Sequence, residues 1–384
     1  MSTKNTWRLG ALAALVAGAV AFGAAAPALA DPSGTPAGGP TTRPLAGVGS
    51  DTTQDVNNGL SEVVKIGGAK VLASYDATGT ATINPRTGGA TFSRPDGSGA
   101  GVNALKAAKA GTAYNGVVLG NNDLQFARSS SAATWVTGGT YAYVPLALDA
   151  VSFAKAPTTS VPANLTKADL TAIYSANDNT NVTLSVGTFK VGKQTTAGAQ
   201  IVPFLPQANS GTRKFWLSEL GITTVGSAVA DNYTKAGASV SVQEHDGSVL
   251  ADVPNAISPF SIAQWIGQNN SGSLASQYGV TVVDRRHGAV LGSVNGTAPT
   301  VSNVLNTAFP ISRPVFTVVK AADLTAGSPL ATVFQGATGL AYTAKNPTTG
   351  KKTITDFGFG DITGGAVVNG VTYTAGDVTS FRAN

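Results

Sequence analysis

The chain has no cysteine, one methionine, two histidines and few charges, with 12% of its 384 residues being Asp, Glu, Lys or Arg. Without cysteine there can be no disulfide, no thiolate metal site, no thiol nucleophile and no lipid-modified cysteine near the start. Long apolar runs are also missing after Phe22, so no later segment reads as a membrane span. No Lys/Arg block occurs, and the net charge of +5 is mild, which argues against a nucleic-acid partner. Two histidines leave little material for acid–base or metal chemistry.

The start of the chain reads as a secretory signal peptide over residues 1–30. Lys4 and Arg8 precede an apolar run from Leu9 to Phe22, and Ala28-Leu29-Ala30 gives small residues for cleavage. Cleavage after Ala30 leaves 354 residues and lowers the net charge from +5 to +3. The expected product is released, extracellular and held together by its core alone, which a chain of this length can supply. Residues 31–45, rich in Pro, Gly and Thr, read as a flexible leader.

After Leu45, strand and helix patterns alternate, the signature of an α/β architecture. Helices are expected at Thr53–Val64, Val102–Ala110, Lys167–Tyr174, Arg213–Leu220 and Ile262–Gln268. Strands are expected at Val117–Leu119, Tyr141–Leu146, Ala150–Ala154, Gln200–Phe204, Val280–Val283, Val315–Val319 and, late in the chain, Val367–Tyr373.

Three Gly/Ser/Thr loops run directly into helical patterns: Gly47–Thr53, Asp96–Gly101 and Asn209–Thr212. A helix start presents unpaired N–H groups and a partial positive charge, glycine allows close approach, and hydroxyls add donors. Together the loops read as an anion cradle, although each is also an ordinary capping sequence.

The order of these segments resembles the substrate-binding proteins of phosphate ABC transporters, in a secreted actinobacterial-looking branch. The resemblance rests on Gly47-Val48-Gly49-Ser50-Asp51-Thr52-Thr53-Gln54, Arg94-Pro95-Asp96-Gly97-Ser98 and Phe126-Ala127-Arg128-Ser129-Ser130. It continues through Tyr143-Val144-Pro145-Leu146-Ala147, Leu165–Leu170, Ser210-Gly211-Thr212-Arg213 and Pro310-Ile311-Ser312-Arg313-Pro314. It implies a two-lobed periplasmic binding protein-like type II fold with two crossings, lobe 1 from 46–146 and 310–384 and lobe 2 from 147–309. It further implies a monomeric, non-enzymatic receptor without metal or cofactor that binds inorganic phosphate or a related oxyanion for an ABC-transporter membrane component. The implied phosphate site is Ser50, Asp51, Thr52, Ser98, Arg128, Ser129, Ser130, Ser210, Gly211, Thr212 and Arg213.

Two family features are missing. No acid follows Phe126, where the family places the acceptor of phosphate's proton, and no arginine precedes Ser210. Asp51 is the expected substitute acceptor, and Arg128 or Arg213 the expected source of positive charge.

Two other readings stay open. One is a surface interaction protein that kept the fold without transport. The other is a secreted hydrolase using Glu244-His245-Asp246, although neighbouring side chains on an extended segment diverge and cannot share a centre without a tight turn.

Overall fold

The computed structural model describes residues 31–384; the expected signal peptide lies outside the described residues. Among them, no helix is long and apolar enough to cross a membrane.

The first half of the molecule contains β1 (Leu45–Gly49), α1 (Gln54–Val63), β2 (Leu72–Ser74), α2 (Ser98–Ala110) and β3 (Phe126–Ser129). The chain then enters β4 (Tyr141–Lys155), buried along its whole length. The second half holds α3 (Lys167–Ser175), β5 (Val202–Pro203), α4 (Gly211–Glu219), β6 (Ala256–Ser261), α5 (Ile262–Asn269) and α6 (Ser271–Tyr278). Strand β7 (Ser312–Lys320) returns alongside β4.

These strands form one mixed sheet in the order β5-β6-β4-β7-β3-β1-β2. The β1 pairs with β2 and β3 are parallel, whereas β4 is antiparallel to both β6 and β7. This is the two-lobed periplasmic binding protein-like fold, with β4 and β7 side by side at the centre of the sheet. Parallel pairing places the ends of β1 and β3 and the starts of α1 and α2 at one edge, the usual ligand side of an open α/β sheet. A register shift between Pro145 and Ala147 marks a bulge in the β4–β7 ladder.

Several elements depart from the sequence reading. Tyr141–Leu146 and Ala150–Ala154 belong to one strand, because Leu148 and Asp149 between them are also buried and paired. Helix α2 begins at Ser98 rather than Val102, so the second Gly/Ser loop is itself the first turn. Val280–Val283 forms no strand; Val280 and Val282 are buried, so the alternation marked burial without a ladder partner. Val367–Tyr373 is a hairpin of Ala366–Val368 and Val371–Tyr373.

The stretch 31–45 is tied down rather than flexible. Asp31 makes a two-pronged ion pair with Arg94 at 2.8 and 2.9 Å and accepts the Gly38 N–H at 2.6 Å. Arg43 is buried and donates to the carbonyl oxygens of Ser33, Ser61 and Leu72. Pro and Gly composition suggested a loose chain, but it could not show that two charges find buried partners.

Candidate functional site

The first loop leaves β1 through Gly49, whose φ of +116° suits glycine, and turns at Asp51–Thr53 before α1. Gly101 of α2 packs beneath it: a Cβ there would stand 2.4 Å from the Gly49 Cα. This contact brings the α2 start and the first loop together. The Ser50 hydroxyl donates to Ser130 Oγ at 3.1 Å, Ser98 Oγ lies 3.2 Å from Ser130 Oγ, and the Ser130 N–H donates to Ser98 Oγ. Three buried serines therefore form one cluster at the sheet edge.

Helix α4, from the second half of the chain, meets that cluster. A Cβ on Gly211 would lie 2.4 Å from both Ser98 Oγ and Ser130 Oγ, so glycine lets the start of α4 come this close to the serines. Ser210 caps α4 by accepting the Arg213 N–H at 2.9 Å. Thr212, one residue into the helix, places its Oγ1 3.4 Å from Thr52 Oγ1.

Arg313 supplies the positive charge. Its Nη2 donates to Thr212 Oγ1 at 3.0 Å and reaches Thr52 Oγ1 at 3.4 Å, while Nη1 donates to the Ser130 carbonyl at 3.0 Å. Asp149 on β4 holds the guanidinium at 2.8 Å through Nη2 and 3.0 Å through Nε. Asp149 is in turn fixed by the Ser261 hydroxyl at 2.8 Å and the Ala263 N–H at 3.2 Å. Strands β4 and β7 thus each contribute one member of a buried ion pair.

Glu244 is different. It is 2% exposed, yet its carboxylate has only long contacts to the Thr212 N–H at 3.4 Å and Thr52 Oγ1 at 3.5 Å. Beside it, His245 adopts a left-handed backbone with φ of +53°, unusual for a non-glycine residue. This is the tight turn that an extended segment lacks, and it aims both side chains at Thr212. His245 Nε2 lies 3.2 Å from Thr212 Oγ1, and Nδ1 lies 2.8 Å from Asp51 Oδ2. Asp246 turns away to accept the Ser248 N–H, so the Glu-His-Asp trio does not act as a unit.

Asp51 does not face the serine cluster. Arg285 Nη2 donates to both its oxygens, at 2.8 and 3.1 Å, and His245 takes the second. Burial would raise this carboxyl, but the Arg285 charge and the His245 contact outweigh it and hold it at about 2. Asp51 is thus a buried anion clamped between Arg285 and His245, and these contacts occupy the oxygens expected to accept phosphate's proton. Gln264 adds to the clamp by donating to the carbonyls of Asp51 and Thr52 at 3.2 and 2.9 Å.

Three further expected residues are also reassigned. Arg128 points back under the first loop and donates to the Gly49, Ser50 and Tyr75 carbonyls and to Ser74 Oγ. Burial draws this guanidinium down to about 10, and its partners leave it no reach into the site. Arg213 bonds the Pro206 carbonyl and Asp231, each at 2.9 Å, away from Thr212. The Ser129 hydroxyl closes a local turn onto the Ser131 carbonyl.

Arg313 and Asp149 were signalled in the sequence, each a lone charge within an apolar strand pattern, where a buried charge demands a partner. Glu244 and Arg285 carried no such mark.

A family model describing the PBP superfamily domain matches residues 35–335, well over half of the chain. The chain belongs to the PBP superfamily. Solved structures to which it is similar include an ABC-type phosphate transport receptor from Vibrio cholerae, 17% identical, covering 82% of this chain and 99% of its own at a TM-score of 0.45. Another is a putative phosphate ABC transporter substrate-binding protein from Clostridium perfringens with bound phosphate, 16% identical, with coverages of 83% and 99% and a TM-score of 0.47. No curated protein matches the chain.

Three carboxyls near these loops are raised by burial: Asp55 to about 6, Asp96 to about 7 and Asp76 to about 8. Asp51 and Glu244 add to the rise of Asp96, and Asp55 to that of Asp76. These groups stay protonated in the folded chain at pH values where an unfolded Asp, near 3.8, has lost its proton. The native state therefore binds more protons between about pH 4 and 8, and stability falls as pH rises through that window. Asp51 acts oppositely, but only below the unfolded value, between 3.8 and about 2. Urea unfolding is expected to give a stability lower at pH 8 than at pH 5 by at least about 2 kcal/mol, because each tenfold change in proton affinity on folding is worth about 1.4 kcal/mol. Equal stability at the two pH values would contradict this account of the buried carboxyls.

Proposed function

We propose that the protein is an extracellular receptor that holds inorganic phosphate between its two lobes, for uptake by an ABC-transporter membrane component. The observation that carries this reading is the convergence at Thr212. Three serine hydroxyls, the start of α4 and the Arg313 fork supply donors, and the under-satisfied Glu244 carboxylate supplies one acceptor. A protonated oxyanion matches that set, since its oxygens take the donors and its hydroxyl answers the acceptor.

The lobes in this reading are 46–146 with 310–384, and 147–309, which puts the β4 bulge at the junction. Closure joins Ser50, Thr52, Ser98 and Ser130 to Gly211 and Thr212, and a ligand favours it by contacting both sides. Ser210 serves the site by capping α4, so that the Gly211 and Thr212 end of the helix faces the anion.

Calorimetry of the purified chain from Asp31 onward against phosphate, sulfate and buffer tests the reading. Phosphate is expected to bind and sulfate to bind far more weakly. Ser98→Ala and Thr212→Ala are each expected to weaken phosphate by about 1–3 kcal/mol, the scale of a hydrogen bond to a charged group. No heat with either anion would favour the surface-interaction reading, and unchanged affinity in both variants would move the site elsewhere.

A further inference from the structure

The charges buried around Thr212 do not balance. Arg313 is matched by Asp149 and Arg285 by Asp51, which leaves Glu244 without a guanidinium or ammonium partner among the described residues. The nearest titratable nitrogen is His245 Nδ1, 4.0 Å from Glu244 Oε2, and that nitrogen already faces Asp51 at 2.8 Å. An anion entering such a site meets one uncompensated negative charge in a water-poor surrounding, where each further charge on the ligand is costly.

The His245 ring is held from every side. Asp51, just before α1, takes Nδ1; Thr212 of α4 meets Nε2; Gln268 of α5 donates to the His245 carbonyl; and the Phe260 ring of β6 packs edge-on at 5.5 Å. Arg285 reaches the ring only through Asp51, and Arg313 only through Thr212. With the ring proton on Nδ1, facing a carboxylate, Nε2 keeps its lone pair, directed at the Thr212 hydroxyl 3.2 Å away. Two acceptors on adjacent residues, the Glu244 carboxylate and His245 Nε2, therefore flank Thr212, whose rotatable hydroxyl can turn from Nε2 to a bound oxygen.

We propose that the site selects phosphate as its doubly protonated monoanion, one hydroxyl donating to Glu244 and the other to His245 Nε2. This rests on the phosphate reading and goes beyond it by fixing the ionisation state and assigning His245 as a specificity-determining residue. A dianion has one proton for two acceptors and brings a second negative charge to Glu244. The monoanion satisfies both acceptors and carries half the charge. The left-handed backbone at His245 is what turns the two neighbouring side chains to one centre.

The test is phosphorus NMR of inorganic phosphate mixed with excess protein between pH 6 and 8.5. The free resonance moves across this range as the dianion replaces the monoanion. The bound resonance is expected to stay at the monoanion position throughout. The apparent affinity is expected to fall at least tenfold per pH unit once the dianion dominates in solution, since Asp96 and Asp76 near the site also lose their protons in this range. A bound resonance at the dianion position at pH 8, or an affinity that stays constant, overturns the proposal. His245→Phe, with folding checked by circular dichroism, keeps a flat ring but offers no acceptor. Its bound resonance is expected to move to the dianion position at pH 8, and one that stays at the monoanion position removes His245 from the role. No bound resonance at any pH would overturn the phosphate reading itself, and this proposal with it.

Discussion

Glu244→Gln is expected to let sulfate in. A carboxylate can only accept, so it favours a ligand that brings a proton and repels one that brings only oxygens. Sulfate near neutral pH has no proton, and against Glu244 it would leave two acceptors facing each other without water. The expected preference of the native protein for phosphate is on the order of a hundredfold, equivalent to a few kcal/mol. The glutamine amide can turn a donor toward sulfate, so the gap should narrow to within about tenfold, mainly through tighter sulfate binding.

Asp51→Asn separates this from a general loosening of the cleft. Asp51 holds Arg285 and His245 rather than the site centre, so its loss should weaken both anions and change their ratio less than Glu244→Gln does. Paired phosphate and sulfate titrations on the three proteins decide the matter. A ratio that collapses in Asp51→Asn but persists in Glu244→Gln would return the acceptor role to Asp51.

Arg313→Met is expected to abolish binding and to weaken the fold. The guanidinium is the buried charge that reaches both Thr52 and Thr212, so its removal should lower phosphate affinity at least a thousandfold, about 4 kcal/mol. It also leaves Asp149 fully buried without its partner, a loss of about 3–5 kcal/mol in stability. Arg313→Lys distinguishes the two effects. An ammonium can still pair with Asp149 but cannot span Asp149, Ser130 and the threonines at once, because it lacks the planar fork. This variant should unfold in urea close to the native protein while binding phosphate roughly ten- to hundredfold more weakly. Native affinity in Arg313→Lys would mean that the fork does not touch the ligand.

The sequence by itself determined the elements on which the site stands. Gly49, Ser50, Ser98 and Ser210-Gly211-Thr212 announce helix starts with exposed donors, because capping chemistry is local and legible in a few consecutive residues. The alternation of strands and helices determined the α/β class in the same way, through periodicity within each segment. The tertiary structure alone decided which charges meet. Asp51 and Arg285 are far apart in sequence yet touch at 2.8 Å, and that contact occupies the carboxylate expected to meet the ligand. Arg128 and Arg313 are both buried arginines in apolar strands; one faces carbonyls beneath the first loop and the other the threonines. Glu244 and His245 share a centre because of one left-handed residue, a backbone choice that local composition does not reveal. A buried charge is governed by the groups that surround it in space, and those come from loops that only the folded sheet brings together.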